Sequence, residues 1–327
     1  LKDIVLSYGD HRGKLEFRQL IASENGLQAE NVLVTAGAAA ALFIVSSTIL
    51  EKTDHILVAK PNYATNIETP RAIGASLSFL PLRFEENYEI DVNELESKIT
   101  NNTKLVSLTY PHNPTGVLIS EEKLRQIIRI IEKKGIHLLL DETYREMSFL
   151  PMLPLAATLS DRVISVSSMS KSFGLPGIRI GWIITGDEQL LERFLAAKEQ
   201  IFITNSVLDE EIAHQFLIKK AQLFPPIWET IRKNFSTLKK FIAGQEILEW
   251  VEPKGGCICF PRVKSEIPFQ AKRFHEILLE RYRTYVGPGH WFEEEERNFR
   301  IGYSWETPEK LLKGLNNILM AIEDQKE

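Results

Sequence analysis

Six kinds of functional side chain stand at the ends of apolar runs in this chain. Lys104–Tyr110 (KLVSLTY) leads into Pro111-His112-Asn113-Pro114-Thr115-Gly116, and Ile136–Asp141 (IHLLLD) closes on Asp141-Glu142-Thr143-Tyr144. Arg162–Ser168 (RVISVSS) leads into Ser168-Met169-Ser170-Lys171, and Arg179 follows in the same stretch. In doubly wound sheets, function gathers at the carboxyl ends of the strands. If these ends meet, one site holds an amide, a carboxylate, a phenol, a hydroxyl, an amine and a guanidinium. A free lysine amine is protonated at neutral pH and is a poor nucleophile. Buried beside other cationic groups, it can form an imine with a carbonyl compound.

The elements that must position these groups are legible around them. His55–Lys60 (HILVAK) joins the three runs above, and all four are continuously apolar rather than alternating. That pattern suits strands buried on both faces of a parallel sheet covered by helices. Ser120–Lys134 places Leu124, Ile127, Ile128 and Ile131 at helical spacing, with Ser120 as N-cap and Gly135 as terminator. The result is a βαβ unit with a right-handed crossover. Val32–Thr35 (VLVT) and Arg179–Thr185 (RIGWIIT) read as further strands, and Asp187–Lys240 reads as mainly helical. A second α+β segment follows: Leu248–Arg262, a helix near Phe269–Arg283, Thr284–Val286, Asn298–Tyr303 and a terminal helix from Thr307. The expected division is a large domain over residues 1–230 and a small one over 231–327.

Composition excludes several classes. The 327 residues are 44% hydrophobic and 25% charged, as in an ordinary globular protein. A net charge of −5 offers no basic field to nucleic acid or an anionic membrane. No apolar run reaches the length of a membrane span. Two cysteines, Cys257 and Cys259, are too few for a disulfide framework or a four-cysteine zinc site, and the seven histidines show no metal-ligand spacing. His112 reads as structural, and no metal is expected. A reducing, cytoplasmic setting fits best.

The motifs in order are Tyr8…Gly13…Arg18, Val34–Gly37, Pro61-Asn62-Tyr63, NPTG at Asn113–Gly116, Asp141-Glu142-Thr143-Tyr144, SMSKSFGLPGIRIGW at Ser168–Trp182, and NFRIG at Asn298–Gly302. Together they resemble the class I/II aminotransferases, fold type I among pyridoxal-phosphate enzymes, over nearly the whole chain. The resemblance implies an α/β fold with a mostly parallel sheet flanked by helices, plus a smaller α+β C-terminal domain. It implies pyridoxal 5'-phosphate as cofactor, held as a Schiff base by Lys171, and transfer of an amino group from an L-amino acid to a 2-oxo acid. Once displaced, the Lys171 amine would move the proton between the substrate Cα and the cofactor. Asp141 would pair with the pyridine nitrogen. Tyr144 and Asn113 would donate to the ring oxygen, and Tyr63 would stack on the ring. Ser168 and Arg179 would hold the phosphate, joined by backbone N–H groups of Ala38 and Ala39 at a helix start. Polar side chains are common at those two positions in the family; here both are alanine. Arg300 would grip the substrate carboxylate, with Asn113 close by. Tyr8 would cross to a neighbour's phosphate, which implies a homodimer with shared active sites.

Two departures bear on substrate. Aspartate-preferring relatives carry a second arginine where this chain has Gln200–Ser206 (QIFITNS), so a dicarboxylic donor is not expected. Asp209, Glu210 and Glu211 follow and would suit a basic or polar one. The family's N-terminal arm has no counterpart upstream of Leu1, and a start on Leu rather than Met implies that the chain begins inside a longer product. Other pyridoxal-phosphate chemistry on the same scaffold (β-lyase, cyclising or oxidative) is the nearest alternative. An amino-acid-sensing regulator is a more distant one.

Overall fold

The computed structural model describes residues 4–325. Seven strands form its main sheet: β1 (Val32–Thr35), β2 (His55–Lys60), β3 (Ser76–Pro81), β4 (Thr103–Thr109), β5 (His137–Asp141), β6 (Val163–Ser168) and β7 (Gly181–Ile184). Their spatial order is β1-β7-β6-β5-β4-β2-β3. β3, β2, β4, β5 and β6 pair in parallel, whereas β7 runs antiparallel to both β6 and β1.

Both faces of the sheet are apolar because both are covered. Ile56 and Val58 of β2 join a core with helices α2 (Ala38–Ile49), α3 (Ala64–Ile73) and α6 (Glu188–Phe202). The alternate residues Leu57 and Ala59 join the core under α4 (Val92–Lys98) and α5 (Glu121–Lys134). In α5 the Ser120 hydroxyl accepts the Lys123 N–H at 3.2 Å, and Gly135 ends the helix in the left-handed conformation at φ 67°. Leu124, Ile127, Ile128 and Ile131 are its buried stripe. A further core beside β1 and β7 includes Phe17 and Ile21 of α1 (Leu15–Ser23) and Phe216 and Leu217 of α7 (Val207–Ile218).

The long helix α8 (Lys220–Ala243) leads to the C-terminal part. There β8 (Leu248–Glu249) pairs with β10 (Arg262–Val263), and β12 (Phe299–Gly302) lies between β9 (Ile258–Cys259) and β11 (Gly287–Pro288). Helices α9 (Ala271–Glu280) and α10 (Pro308–Asp324) cover them, with Leu238, Phe274, Phe299, Leu315 and Ile322 in one core that also takes in Tyr144 and Met147. The strand expected at Thr284–Val286 forms instead at Gly287–Pro288, where Gly287 and Pro288 face Arg300 and Phe299.

Close backbone contacts join the two parts at one seam. The N–H groups of Lys254 and Gly255 both donate to the Gly116 carbonyl, at 2.9 and 3.0 Å. Gly116 has φ +73°, and a Cβ there would come within 2.6 Å of Pro253 Cβ and 2.8 Å of the Gly255 oxygen. Glycine is what this approach requires.

Candidate active site

Asp141 ends β5 and is buried. Its Oδ1 accepts the Thr143 N–H at 3.1 Å and the Thr143 hydroxyl at 2.5 Å. Among the described residues no lysine, arginine or histidine forms an ion pair with it. Burial pushes its carboxyl up, only partly offset by the two bonds from Thr143. A buried carboxylate of this kind calls for a cationic partner from outside the chain.

The loop after β6 lies against it. Ser172, fully buried, donates its hydroxyl to the Thr143 carbonyl at 2.9 Å, tying the Lys171 segment to the Asp141 segment. The Met169 N–H donates to the Ile180 carbonyl at 2.9 Å, so the loop is closed at its base where Ser168 pairs with Gly181. Lys171 and Arg179, both on this loop, are exposed. Arg179 sits at φ 47°, ψ 45° and donates from Nη1 to Ser170 Oγ at 3.2 Å and to the Pro176 carbonyl at 2.8 Å.

An anion cradle adjoins Arg179. Helix α2 starts at Ala38 with Gly37 as N-cap (φ 85°) and no side-chain cap. The first-turn N–H groups of such a helix lack intrahelical acceptors. The Arg179 guanidinium lies against Gly37, with Cζ 3.1 Å from where a Cβ would stand. A Cβ on Gly181 would come within 2.6 Å of the Gly37 carbonyl carbon and 2.8 Å of the Ala38 nitrogen, so the strand passes directly beneath the helix start. Ser168, 1% exposed, presents its hydroxyl on the same side of the strand end, where it accepts the Ser170 N–H at 3.3 Å. Backbone amides, a guanidinium and hydroxyls are the donor set a phosphate needs. A buried carboxylate without a cationic partner among the described residues, this donor set, and a lysine amine on the same loop as Arg179 are together the groups pyridoxal phosphate needs, so the residues present fit it.

The other residues singled out in the sequence lie near one another, except one. Tyr144 is buried beside Cys257, Arg300, Asp141 and Tyr63, and burial raises its phenol. Arg300 of β12 donates from Nη1 to Asn113 Oδ1 at 3.0 Å and packs over the Phe292 ring at 4.8 Å. Tyr63 is part-exposed at the N-cap of α3, on the wall of a cavity of about 440 Å³ that also borders Trp291, Phe292 and Arg300. Tyr8 does not join this group; it stands 79% exposed.

Several contributors carried little signal in the sequence. His112 is held by two neighbours at 2.8 Å (Thr115 Oγ1) and 2.9 Å (the Pro61 carbonyl). A carbonyl can only accept, so Nε2 carries the proton and Nδ1 accepts from Thr115. Burial lowers His112 to about 4, which keeps it neutral. It thus buttresses Asn113 against the Pro61-Asn62-Tyr63 turn, as its structural reading implied. Cys257 is buried near Lys171 and Arg300, its thiol pushed up to about 11 by burial. Glu210 and Glu211, considered as partners for a basic substrate, are engaged instead: Lys14 donates its N–H to Glu210 Oε2 at 2.8 Å and pairs with Glu211 through Nζ.

Comparison with known proteins identifies the family. An aspartate aminotransferase of Pyrococcus horikoshii is 28% identical over 92% of this chain and 77% of its own length. An arginine–pyruvate transaminase of Pseudomonas aeruginosa is 32% identical over 87% of this chain and 74% of its own. The crystal structure of a PLP-dependent aminotransferase from Streptococcus suis superposes with a TM-score of 0.92 at 25% identity, covering 99% of this chain and 85% of that one. Residues 2–318 match the family described as aminotransferase class I and II. The chain therefore belongs to the class I and II aminotransferases, which use pyridoxal phosphate to transfer amino groups.

Proposed function

We propose that this chain moves an amino group from an L-amino acid to a 2-oxo acid, with Lys171 as its covalent anchor and proton carrier. The observation that carries this reading is the fully buried Asp141 carboxylate, linked through Thr143 and Ser172 to the lysine loop. Bound pyridoxal phosphate supplies an aldehyde for the amine and a ring that withdraws electrons from the substrate Cα. Asp141 would pair with the ring nitrogen and keep it protonated. Tyr144 and Asn113 donate to the ring oxygen, and Tyr63 covers a ring face. Ser168, Arg179 and the N–H groups of Ala38 and Ala39 hold the phosphate. Arg300 would bind the substrate's α-carboxylate, and Lys171 Nζ would be the base that takes and returns the Cα proton.

The donor reading rests on the cavity walls. Gln200–Ser206 contains no arginine, and the cavity beside Arg300 is lined by Tyr63, Trp291 and Phe292 together with Glu68 and Glu293, both already paired with Arg71. These features favour a large uncharged side chain over a dicarboxylic one. The arrangement also includes a homodimer in which Tyr8 serves the neighbour's phosphate, a reading supported by that residue's exposure. A large unit over residues 1–230 and a small one over 231–327, bearing Arg300, complete it. A cytoplasmic location is supported by two free, buried cysteines and by the absence, among the described residues, of a helix long and apolar enough to cross a membrane.

The test is a panel of amino acids offered with 2-oxoglutarate, followed for glutamate against ammonia, pyruvate or peroxide. Glutamate formation with uncharged donors is expected. Lys171→Ala should lose both turnover and the absorbance of covalently held cofactor, and a variant that keeps both overturns the assignment.

A further inference from the structure

Burying a lysine away from water is costly unless it is paired and hydrogen-bonded. Lys198 of α6 is fully buried, and its Nζ donates to the His11 carbonyl at 2.6 Å. Glu210 of α7, 3% exposed, accepts the Lys14 N–H through Oε2, while its Oε1 is buried without a hydrogen-bond partner. Arg18 of α1, 4% exposed, holds the strip between these anchors from a third side. It donates from Nε to the Gly13 carbonyl at 2.9 Å and from Nη2 to Asp10 Oδ2 at 3.2 Å. Gly13 has φ +99°, and a Cβ there would run into the Val34 side chain and come within 3.2 Å of Glu210 Oε1.

Three buried charged side chains from three helices thus grip Asp10–Lys14. Apolar residues of similar volume often stabilise a protein as well or better, and ionic sets of this kind are best attested as devices that fix register. The segment they fix has an outward-facing end. Tyr8 lies two positions upstream of Asp10 and is 79% exposed, in line with Val5 and Leu6 at 75% each. A side chain that reaches into another molecule gains no packing from its own chain, so the backbone behind it must set its direction.

We propose that Lys198, with Glu210 and Arg18, forms a buried clamp on Asp10–Lys14 that aims Tyr8 at the phosphate-binding groups of a second copy of this chain. Lys198 is in these terms a positioning residue, and the proposal rests on the reading of Tyr8 given above. The electrostatics agree with the geometry. Burial lowers Lys198 to about 8 against the opposing pull of Glu210, Asp10 and Glu199, with Arg18 lowering it slightly further. At neutral pH the amine therefore still brings charge into the clamp. Burial raises Glu210, partly countered by the Lys14 N–H and by Lys198.

The experiment compares affinity for pyridoxal phosphate with affinity for pyridoxal, which lacks the phosphate, on the full chain stripped of cofactor. Wild type, Lys198→Met, Lys198→Arg, Tyr8→Phe and the Lys198→Met/Tyr8→Phe double variant are titrated, with the thermal midpoint measured in parallel. Lys198→Met should weaken pyridoxal phosphate binding about tenfold, the scale of one lost hydrogen bond to a charged group. It should leave pyridoxal binding unchanged and add nothing once Tyr8→Phe is present, and Lys198→Arg should recover most of the loss. If Lys198→Met does not fold, Glu210→Gln must show the same signature. Equal weakening of both ligands, or additive effects with Tyr8→Phe, overturns the clamp. A wild type indifferent to Tyr8→Phe overturns the Tyr8 reading instead, and the clamp's purpose with it.

Discussion

Arg300 and Asn113 lie 187 positions apart in the chain, yet the arginine's Nη1 donates to the asparagine's Oδ1 at 3.0 Å. A guanidinium has no acceptor, so this contact fixes which end of the amide faces it. Asn113 Oδ1 turns toward Arg300, and Nδ2 is left free of that contact, as the proposed donation to the cofactor ring requires. On the proposed roles, one amide would couple the grip on the substrate carboxylate to the hydrogen bonding of the ring.

Replacing Arg300 with lysine keeps the charge but loses the fork that bonds a carboxylate through two nitrogens. KM for the amino donor should rise about tenfold or more, with a smaller effect on kcat, since a hydrogen bond to a charged group is worth about 1.5–3 kcal/mol. The steady-state parameters of Arg300→Lys check this. A fall in kcat alone, at constant KM, would contradict a binding role.

Asp141→Asn should reduce turnover on the order of 10²-fold, from about 3 kcal/mol of lost pairing with a buried cation. The cofactor-free protein should respond in the opposite sense. Burial raises the Asp141 pKa above its ordinary 3.8, so the folded state retains a proton that the unfolded state has lost. This group's contribution to stability accordingly falls as pH rises above that value. Cofactor-free Asp141→Asn should unfold at a higher temperature than wild type at neutral pH, and the two should converge on acidification. Thermal scans from pH 4 to 8 would show the reverse trend if Asp141 were stabilised as an anion by the chain itself.

Gly181→Ala places a methyl group against Gly37 and Ala38, at distances real contacts do not tolerate. Overpacking of this kind costs about 1–3 kcal/mol, and here the strain falls on the start of α2. Cofactor retention should drop along with the melting temperature. Gly177→Ala, where nothing lies within 4 Å, is the matched control and should change neither.

Local signals foretold much of the framework. Ser120 and Gly135 delimit α5 because capping chemistry is local, and the apolar runs before Asp141 and Ser168 mark strands that helices cover on both faces. β3 escaped notice because Ser76–Pro81 is mostly only half-buried at the sheet edge, so its sequence lacks the apolar signature. The reversed direction of β7 was equally hidden, since strand direction depends on tertiary pairing and not on composition. In the site, the groups at strand ends were legible by type. The Ser172–Thr143 and Arg300–Asn113 contacts were not, because each joins segments distant in the chain. The engagement of Glu210 and Glu211 by Lys14, across nearly 200 positions, was invisible for the same reason.

The reversal of β7 beside β6 has a mechanical meaning. Ser168 and Gly181 are ladder neighbours, so everything between them, including Lys171 and Arg179, hangs from a neck pinned on both sides. A loop cinched in this way travels as one piece. When surrounding helices breathe, Lys171 and Arg179 should therefore shift together, which would preserve the span between them.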